Sequence, residues 1–380
     1  MSAPHKILFV IPGLRQGGAE RQLLELMRRL PPRFSATLCV YDGEQVHYAS
    51  ELPAGEPRHV LGLRRMTWRG LRRLARVIAE ERPSIVHSYR DRANLWTRLA
   101  LLVHGVRVPV VITSVRNRNI DPLNLLAEEP LIDRTDRILA NSEGIRRELV
   151  DRLRLPAERI QVVHNFIDLG KFRPATPEQR AAARTRWGLA DELALLLPGR
   201  LSLQKHQLGL LAALWGLRRQ GRLPANARVL LAGRARDLFY SRLVTALVAR
   251  LGLGDHVRFL GPVADMVSLY HAADAVLMPS LFEGMPNAVI EAHACELPAV
   301  VSRAANADGL VIDGETGFVV PTTDREALGE AIARLCALDP QTRAAFGARG
   351  RAHVTRMLDP DAILGEIVSL YDQLLAQKHL

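Results

Sequence analysis

Glu283 and Glu291 stand eight positions apart in the stretch PSLFEGMPNAVIEAHACELP, the first in a loop interrupted by Gly284 and Pro286, the second in an apolar-periodic segment that reads as a helix. Ionised carboxylates are pure acceptors, and a pair held this way can grip several hydroxyls of a polyol. Pro286 suits the first turn of a helix, because its missing N–H would have been an orphan donor there, so the helix is expected to start at Met285 to Asn287. Amides at a helix N-terminus attract phosphate. Glu291, a turn or so further in, would lie roughly 5–6 Å along the axis at about 1.5 Å per residue. Phosphate at the mouth with hydroxyls on either side outlines a sugar nucleotide.

Two further segments carry chemistry of the same kind. KILFVIPGLRQGGAERQLLELMRRL near the start reads as a strand, a loop with Gly13, Gly17 and Gly18, and a helix with Leu23, Leu24, Met27 and Leu30 on one face. Glycines let backbone approach a phosphate closely. The dinucleotide fingerprint G-x-G-x-x-G is absent, which counts against a dinucleotide site. In the middle, LALLLPGRLSLQKHQLGLLAAL gives a strand, a turn at Pro198-Gly199 and a helix after Lys205. Arg200 and Lys205 therefore leave the C-terminal end of a strand, where open α/β sheets bind ligands. Two cations there can hold a pyrophosphate.

Together these segments resemble the family-four retaining glycosyltransferases: Ser280, Glu283-Gly284-Met285-Pro286, Glu291-Ala292-His293-Ala294 and Pro298 follow its C-terminal signature, Gly17-Gly18-Ala19-Glu20-Arg21 its glycine loop, and Gly199-Arg200-Leu201 with Lys205 its cationic loop. The resemblance implies a GT-B fold, α/β, with two doubly wound parallel-sheet Rossmann-like domains facing across a cleft. It implies that Arg200 and Lys205 hold the donor diphosphate, Glu283 the donor sugar and Glu291 the ribose. Gly17, Gly18, Gly284, Met285, Pro286 and Asn287 would line the donor, with loop N–H groups, which Pro286 lacks, facing sugar and phosphate. Arg116 would lie near the cleft, and His87 near the sugar, as the first of a His-x-His pair. Such enzymes require no metal and no cofactor beyond the nucleotide diphosphate sugar, UDP- or GDP-linked, and the leaving phosphate is thought to take the acceptor's proton.

Several positions depart from the family's pattern. His206 replaces the glycine after the lysine, Tyr89 the second histidine, and Glu296 a glycine before Pro298. Ala304-Ala305-Asn306-Ala307-Asp308 stands where a Gly-Gly-x-x-Glu loop is usual, and a Cβ there falls where backbone usually passes close to the donor. Donor identity therefore does not carry over through this loop. Asn141, Ser142, Asn165 and Asp168 match weaker stretches of the first half.

The chain has 380 residues, of which 48% are apolar, enough to fill two cores. Strand–helix alternation predicts twelve strands: 6–11, 36–41, 85–88, 108–113, 137–140 and 160–163, then 193–197, 229–232, 257–260, 275–278, 299–302 and 317–319. The expected division is an acceptor-side domain over 1–170, a linker over 171–188, a donor domain over 189–356, and a last helix within 357–380 that returns to the first domain. Three cysteines suit a reducing cytosol. No uncharged apolar run is long enough to span a bilayer, and the N-terminal ILFVI reads as a core strand rather than a secretion signal.

Residues 1–180 carry 30 Lys and Arg against 20 Asp and Glu, a net +10, and residues 181–380 a net +1. Helical periodicity over Thr67 to Glu81 places Trp68, Leu71, Leu74, Ala75 and Ile78 in one arc and Arg69, Arg72, Arg73 and Arg76 in another. That predicts a cationic helix suited to an anionic membrane surface and a phosphate-linked lipid acceptor. It equally fits an ordinary surface helix. No nucleic-acid motif accompanies the charge. The reading is a cytoplasmic, membrane-peripheral glycosyltransferase of surface polysaccharide, lipopolysaccharide or glycolipid synthesis. A sugar-nucleotide epimerase and a non-catalytic sugar-nucleotide binding module remain open alternatives.

Overall fold

Runs such as Ile7–Ile11 and Leu193–Leu197 are apolar at every position, the pattern of parallel strands covered on both faces, and all ten residues are fully buried or nearly so. The structure, a computed structural model, describes residues 3–14, 17–42, 58–63, 67–117, 130–235 and 237–380. The chain divides into two units, Met1–Phe166 with Pro360–Leu380, and Ile167–Asp359.

Unit 1 runs β1 (His5–Ile11), α1 (Gly18–Arg29), β2 (Phe34–Val40), β3 (Arg58–Val60), α2 (Trp68–Glu81), β4 (Ile85–Tyr89), α3 (Asp91–His104), β5 (Val110–Val115), β6 (Arg137–Ala140), α4 (Glu143–Arg147) and β7 (Ile160–Val162). Its strands pair in parallel in the order β3-β2-β1-β4-β5-β6-β7. Unit 2 runs α5 (Pro177–Arg186), β8 (Leu193–Pro198), α6 (Gln207–Arg219), β9 (Ala227–Ala232), α7 (Leu238–Arg250), β10 (Val257–Gly261), α8 (Met266–Ala272), β11 (Ala275–Met278), α9 (Asn287–Ala294), β12 (Ala299–Ser302), β13 (Gly317–Val320), α10 (Arg325–Ala337) and α11 (Pro340–Met357). Its order, again parallel, is β10-β9-β8-β11-β12-β13. The last helix, α12 (Pro360–Gln377), belongs to unit 1, where Asp372 pairs with Arg33 at 2.8 Å and the Tyr371 ring meets Phe34 edge-on.

Three expectations need correction. The short edge strand β3 has no apolar alternation in Arg58-His59-Val60 and was not among the expected strands. The stretch 171–188 is not a free linker. Thr176 and Gln179 form a capping box around Pro177, which starts α5, and Arg180 and Arg184 fasten that helix to Asp274 at 2.7 and 3.4 Å. The third correction concerns Trp68, which is 71% exposed rather than part of the apolar arc, because α2 buries only from Gly70 and Leu71 onward. No helix among the described residues is long and apolar enough to cross a membrane.

Candidate functional site

The strand order of unit 2 reverses between β8 and β11, and open α/β sheets bind ligands beyond the strand ends at such a break. The loops after β8 and β11 leave from that point. A Cβ on Gly199 would lie 2.8 Å from Lys205 Cε, and one on Gly233, just after β9, would lie 2.1 Å from the Gly199 carbonyl oxygen. Glycine at both positions lets the lysine fold back over the strand ends. Lys205 Nζ donates to Glu283 Oε1 at 2.6 Å and lies 3.5 Å from Met278 Sδ. The two charged side chains are only 13% and 10% exposed. Each supplies the compensation the other needs away from water.

Other polar side chains hold these loops in place. Gln204 Nε2 donates to the Phe282 carbonyl at 3.0 Å, the Gln204 carbonyl accepts from Leu281 N at 2.8 Å, and Gln204 Oε1 accepts from Arg200 Nη2 at 3.4 Å. Fully buried Gln207 donates to the Arg200 carbonyl at 2.9 Å and accepts from Tyr240 OH at 3.1 Å. Glu291 is buried on α9, and its Oε2 accepts from Tyr270 OH at 2.8 Å. Pro286 occupies the N-cap position of α9 rather than its first turn, one residue before the helical span. The Ser302 hydroxyl, which donates to the Ser280 carbonyl, accepts from Ala305 N at 3.2 Å and so ties the signature loop to the next one.

Two departures from the family's glycines keep glycine-like backbone. His206 sits at φ 53° and Glu296 at φ 59°. A glycine elsewhere makes room for each: a Cβ on Gly209 would come within 2.3 Å of the His206 ring, and one on Gly347 would collide with the Glu296 carbonyl. Ala304 and Ala305 are different, since neither is among the described residues with positive φ. Left-handed backbone appears instead at Asp308 and Gly309. The two alanines thus bring no backbone strain.

In unit 1 the order reverses between β1 and β4. Residues 15 and 16 of the glycine loop lie outside the described residues; from Gly17, the N-cap of α1, the chain is described. Glu20, 3% exposed, accepts from Arg90 Nη1 at 2.9 Å. Arg116 donates to Asn165 Oδ1 at 2.8 Å with its guanidinium 5.2 Å from the Tyr89 ring centre, and Asn141 donates to the same oxygen at 3.3 Å. Ser142 caps α4 by accepting from Ile145 N at 3.3 Å. The Asp168 carboxylate, in unit 2, accepts from Gly170 N and Lys171 N, both at 2.9 Å, closing a local turn.

His87 departs from the sugar-facing post the resemblance gave it. It is fully buried, with Nδ1 2.7 Å from Tyr371 OH and Nε2 2.8 Å from Ser114 Oγ. Burial, with Arg116 nearby, holds its pKa well below the ordinary value, since both disfavour the charged ring. With both ring nitrogens engaged, it serves the interior of unit 1.

Two family models match the chain: Glycosyltransferase Family 4 over residues 16–171 and Glycosyl transferases group 1 over residues 179–353. The chain belongs to the family 4 glycosyltransferases. D-inositol 3-phosphate glycosyltransferase of Saccharomonospora viridis is 34% identical over 238 residues, 61% of this chain and 54% of that protein. The Thermobispora bispora protein of the same name is 30% identical over 288 residues, 73% and 66%. The chain spans about half to two thirds of the length of these curated relatives. Among solved structures, Anabaena HepE in complex with UDP-glucose superposes with a TM-score of 0.83 at 22% identity, covering 98% of this chain and 100% of that one. That likeness concerns the GT-B fold, which the two parallel-sheet units share.

Sequence reasoning about this glycosyltransferase missed Gln204, Gln207, Tyr270 and the Glu20–Arg90 pair. Gln204 and Gln207 were findable, since polar residues that flank the lysine of a phosphate-type loop must satisfy its turned backbone. Tyr270, 21 positions before its partner, left no local signal.

Proposed function

We propose that this chain transfers a hexosyl group, with retention of anomeric configuration and without a metal, from a nucleotide diphosphate sugar to a hydroxyl of a glycan or lipid-linked acceptor in bacterial-type surface polysaccharide or glycolipid synthesis. The observation that carries this reading is the Lys205–Glu283 pair at the β8/β11 break, 2.6 Å long, with Arg200 in the same loop and Glu291 held by Tyr270 on the following helix. Arg200 and Lys205 bind the diphosphate. Glu283 orients the sugar and Glu291 takes the ribose. Amides of the Gly284–Asn287 loop face sugar and phosphate, Gly17 and Gly18 meet the diphosphate, and Arg116 serves the donor. His87 acts as scaffold.

In the reaction the bond between the anomeric carbon and the phosphate oxygen breaks with its electron pair leaving on the diphosphate. The acceptor oxygen bonds to that carbon on the same face, and its proton passes to the departing phosphate. The cations oppose the charge that develops there. A UDP-linked donor is favoured by the UDP-glucose in the structure of HepE. The inositol phosphate in the relatives' name puts a phosphorylated polyol among the acceptors to test. UDP- and GDP-sugars would be incubated with inositol phosphate, with membrane lipid extract and with neither, and nucleotide release followed. Acceptor-dependent release with an axial product anomer from an axial donor is expected. An inverted product, or release that needs added divalent metal, overturns the mechanism.

Exposed Trp68 beside Arg69, Arg72 and Arg76 supports a peripheral cytoplasmic-membrane contact by α2, and Arg73, which donates to the Leu61 carbonyl at 2.9 Å, anchors that surface. At roughly 1 kcal/mol per cation near an anionic leaflet, flotation with anionic vesicles should be salt-sensitive. It should fail in Arg69→Gln/Arg72→Gln/Arg76→Gln. Equal, negligible flotation of the parent protein with anionic and neutral vesicles overturns the contact.

A further inference from the structure

We infer that the Glu20–Arg90 ion pair is a positioning device that fixes the glycine loop from Gly17 onward for the reaction proposed above, on which the kinetic part of this inference rests. The pair joins the element after β1 to the element after β4, across the break of the unit 1 sheet, 70 positions apart in sequence. Glu20 is buried, and its carboxylate folds back against the loop so closely that a Cβ on Gly17 would lie 2.3 Å from Oε2. Gly17 is therefore fitted to the carboxylate of its own helix. Only a carboxylate held in one place makes that fit meaningful, and Arg90 holds it.

Arg90 is itself held in a costly conformation. Its backbone sits at φ 75° and ψ 151°, in space that is essentially reserved for glycine. Neighbouring bonds impose this. Arg90 N donates to the Ser114 carbonyl at 3.1 Å, and the Arg90 carbonyl accepts from Asn94 N at 2.9 Å. Buried Asn94 donates to the same Ser114 carbonyl at 3.0 Å and accepts from the Ser88 hydroxyl at 2.8 Å, locking β4 to β5 beneath the arginine. The Ser114 hydroxyl meets His87, and His87 meets Tyr371. One chain of bonds thus runs from the last helix through the interior to Glu20 in the first turn of α1. Arginine is explained by what its guanidinium does at Glu20.

Arg90→Gly separates the two roles, because glycine accepts this backbone without strain but has no guanidinium. The experiment compares the parent protein with Arg90→Gly, Arg90→Lys and Glu20→Gln by amide hydrogen exchange without ligand, by thermal melting, and by kcat and donor KM with the best donor. Exchange at Arg21, whose N–H donates to the Gly17 carbonyl at 3.3 Å, should quicken about tenfold or more in Arg90→Gly and Glu20→Gln. Turnover should fall about 10- to 30-fold with donor KM changed less than about threefold, as misplacement of a transition-state contact predicts. The melting temperature of Arg90→Gly should fall by only a few degrees, because the relieved backbone offsets part of the cost of leaving buried Glu20 without its partner. Arg90→Lys should recover part of both losses. Unchanged exchange in Arg90→Gly and Glu20→Gln overturns the device, and quickened exchange with parental kcat overturns its role in the reaction. Should the parent consume no sugar nucleotide at all, the exchange result still decides the positioning, and only the functional reading fails.

Discussion

Each sheet of this glycosyltransferase reverses its strand order once, and an ion pair spans each reversal, but the two pairs are built in opposite ways. In unit 2 both partners are largely buried and relaxed glycines make the room: Gly199 and Gly233 let the Lys205 stem lie across the strand ends. In unit 1 the carboxylate is buried, the arginine is 46% exposed, and its backbone takes the strain. Lys205 and Glu283 each have a proposed ligand, so each occupies the other until the donor arrives. Glu20 and Arg90 serve one another and the loop they set. A pair of the first kind must be exchanged during the reaction, whereas one of the second kind must persist through it.

The comparison breaks most readily at Lys205. Removing one donor to a developing anion costs about 10²–10³ in turnover, so Lys205→Ala and Arg200→Ala should lose that much, well beyond the loss expected for Arg90→Gly. Steady-state rates with any accepted donor decide this, and parental rates in both variants would remove the diphosphate assignment. Stability sharpens the same contrast. Stripping one member of a buried pair strands the other, at about 3–5 kcal/mol. Lys205→Met and Glu283→Gln should therefore each destabilise unit 2 more than the double variant does, with a coupling in urea unfolding of at least about 3 kcal/mol. Additive losses would mean that the pair is not compensating charge.

A smaller effect is expected at Tyr270, whose hydroxyl fixes Glu291 at 2.8 Å. Tyr270→Phe keeps the ring and its contact with Phe172 and removes one hydrogen bond to a charged group, about 1.5–3 kcal/mol at most. Affinity for the free nucleoside diphosphate should fall about tenfold with turnover nearly intact, because ribose contacts are alike in ground and transition states. Titration calorimetry reads this directly. A loss of turnover at unchanged affinity would move Glu291 from the ribose to the reacting sugar.

The same contrast governs what could be read before the fold was known. Unit 2 was legible because its chemistry is local: Arg200 and Lys205 share one loop, and Glu283 and Glu291 one loop and helix. Strand positions were legible too, since apolar runs in parallel sheets announce themselves, and boundaries slipped only where turns set them, as at β5, which runs Val110–Val115 rather than 108–113. Unit 1 was less legible because its polar residues act across the sheet. His87 has the residue type of a ligand contact, yet Tyr371, 284 positions away, closes over it. Arg90 gave no sign at all, since only its φ and its distant carboxylate distinguish it from the chain's other arginines. Trp68 failed for another reason. Helical periodicity assigns an arc but cannot say where along the helix the sheet beneath it ends.

Among the described residues each unit also buries one histidine completely, and their surroundings differ in a way that pH can expose. His87 lies between two hydroxyls, Tyr371 and Ser114, with Arg116 adding to the effect of burial. His293 on α9 faces the Leu297 carbonyl through Nδ1 at 3.0 Å, in space that a Cβ on Gly350 would close to 2.5 Å. Burial, with a smaller contribution from His353, lowers its pKa to about 4. Both histidines stay neutral when folded and gain a proton on unfolding below about pH 6.5, so the unfolded chain binds more protons there. Their contribution to stability is complete above that pH and is lost as pH falls toward the folded value. For His293 the loss at pH 5.5 is about 1.4 kcal/mol relative to pH 8. His293→Asn should reduce this difference for unit 2 by about 1.4 kcal/mol, whatever it does to absolute stability, with a remainder from His206, whose pKa burial also lowers. Amide exchange at the two pH values follows the units separately. If unit 2 of the variant keeps the parental difference between pH 8 and 5.5, its acid sensitivity lies elsewhere, and the two buried histidines are alike only in being buried.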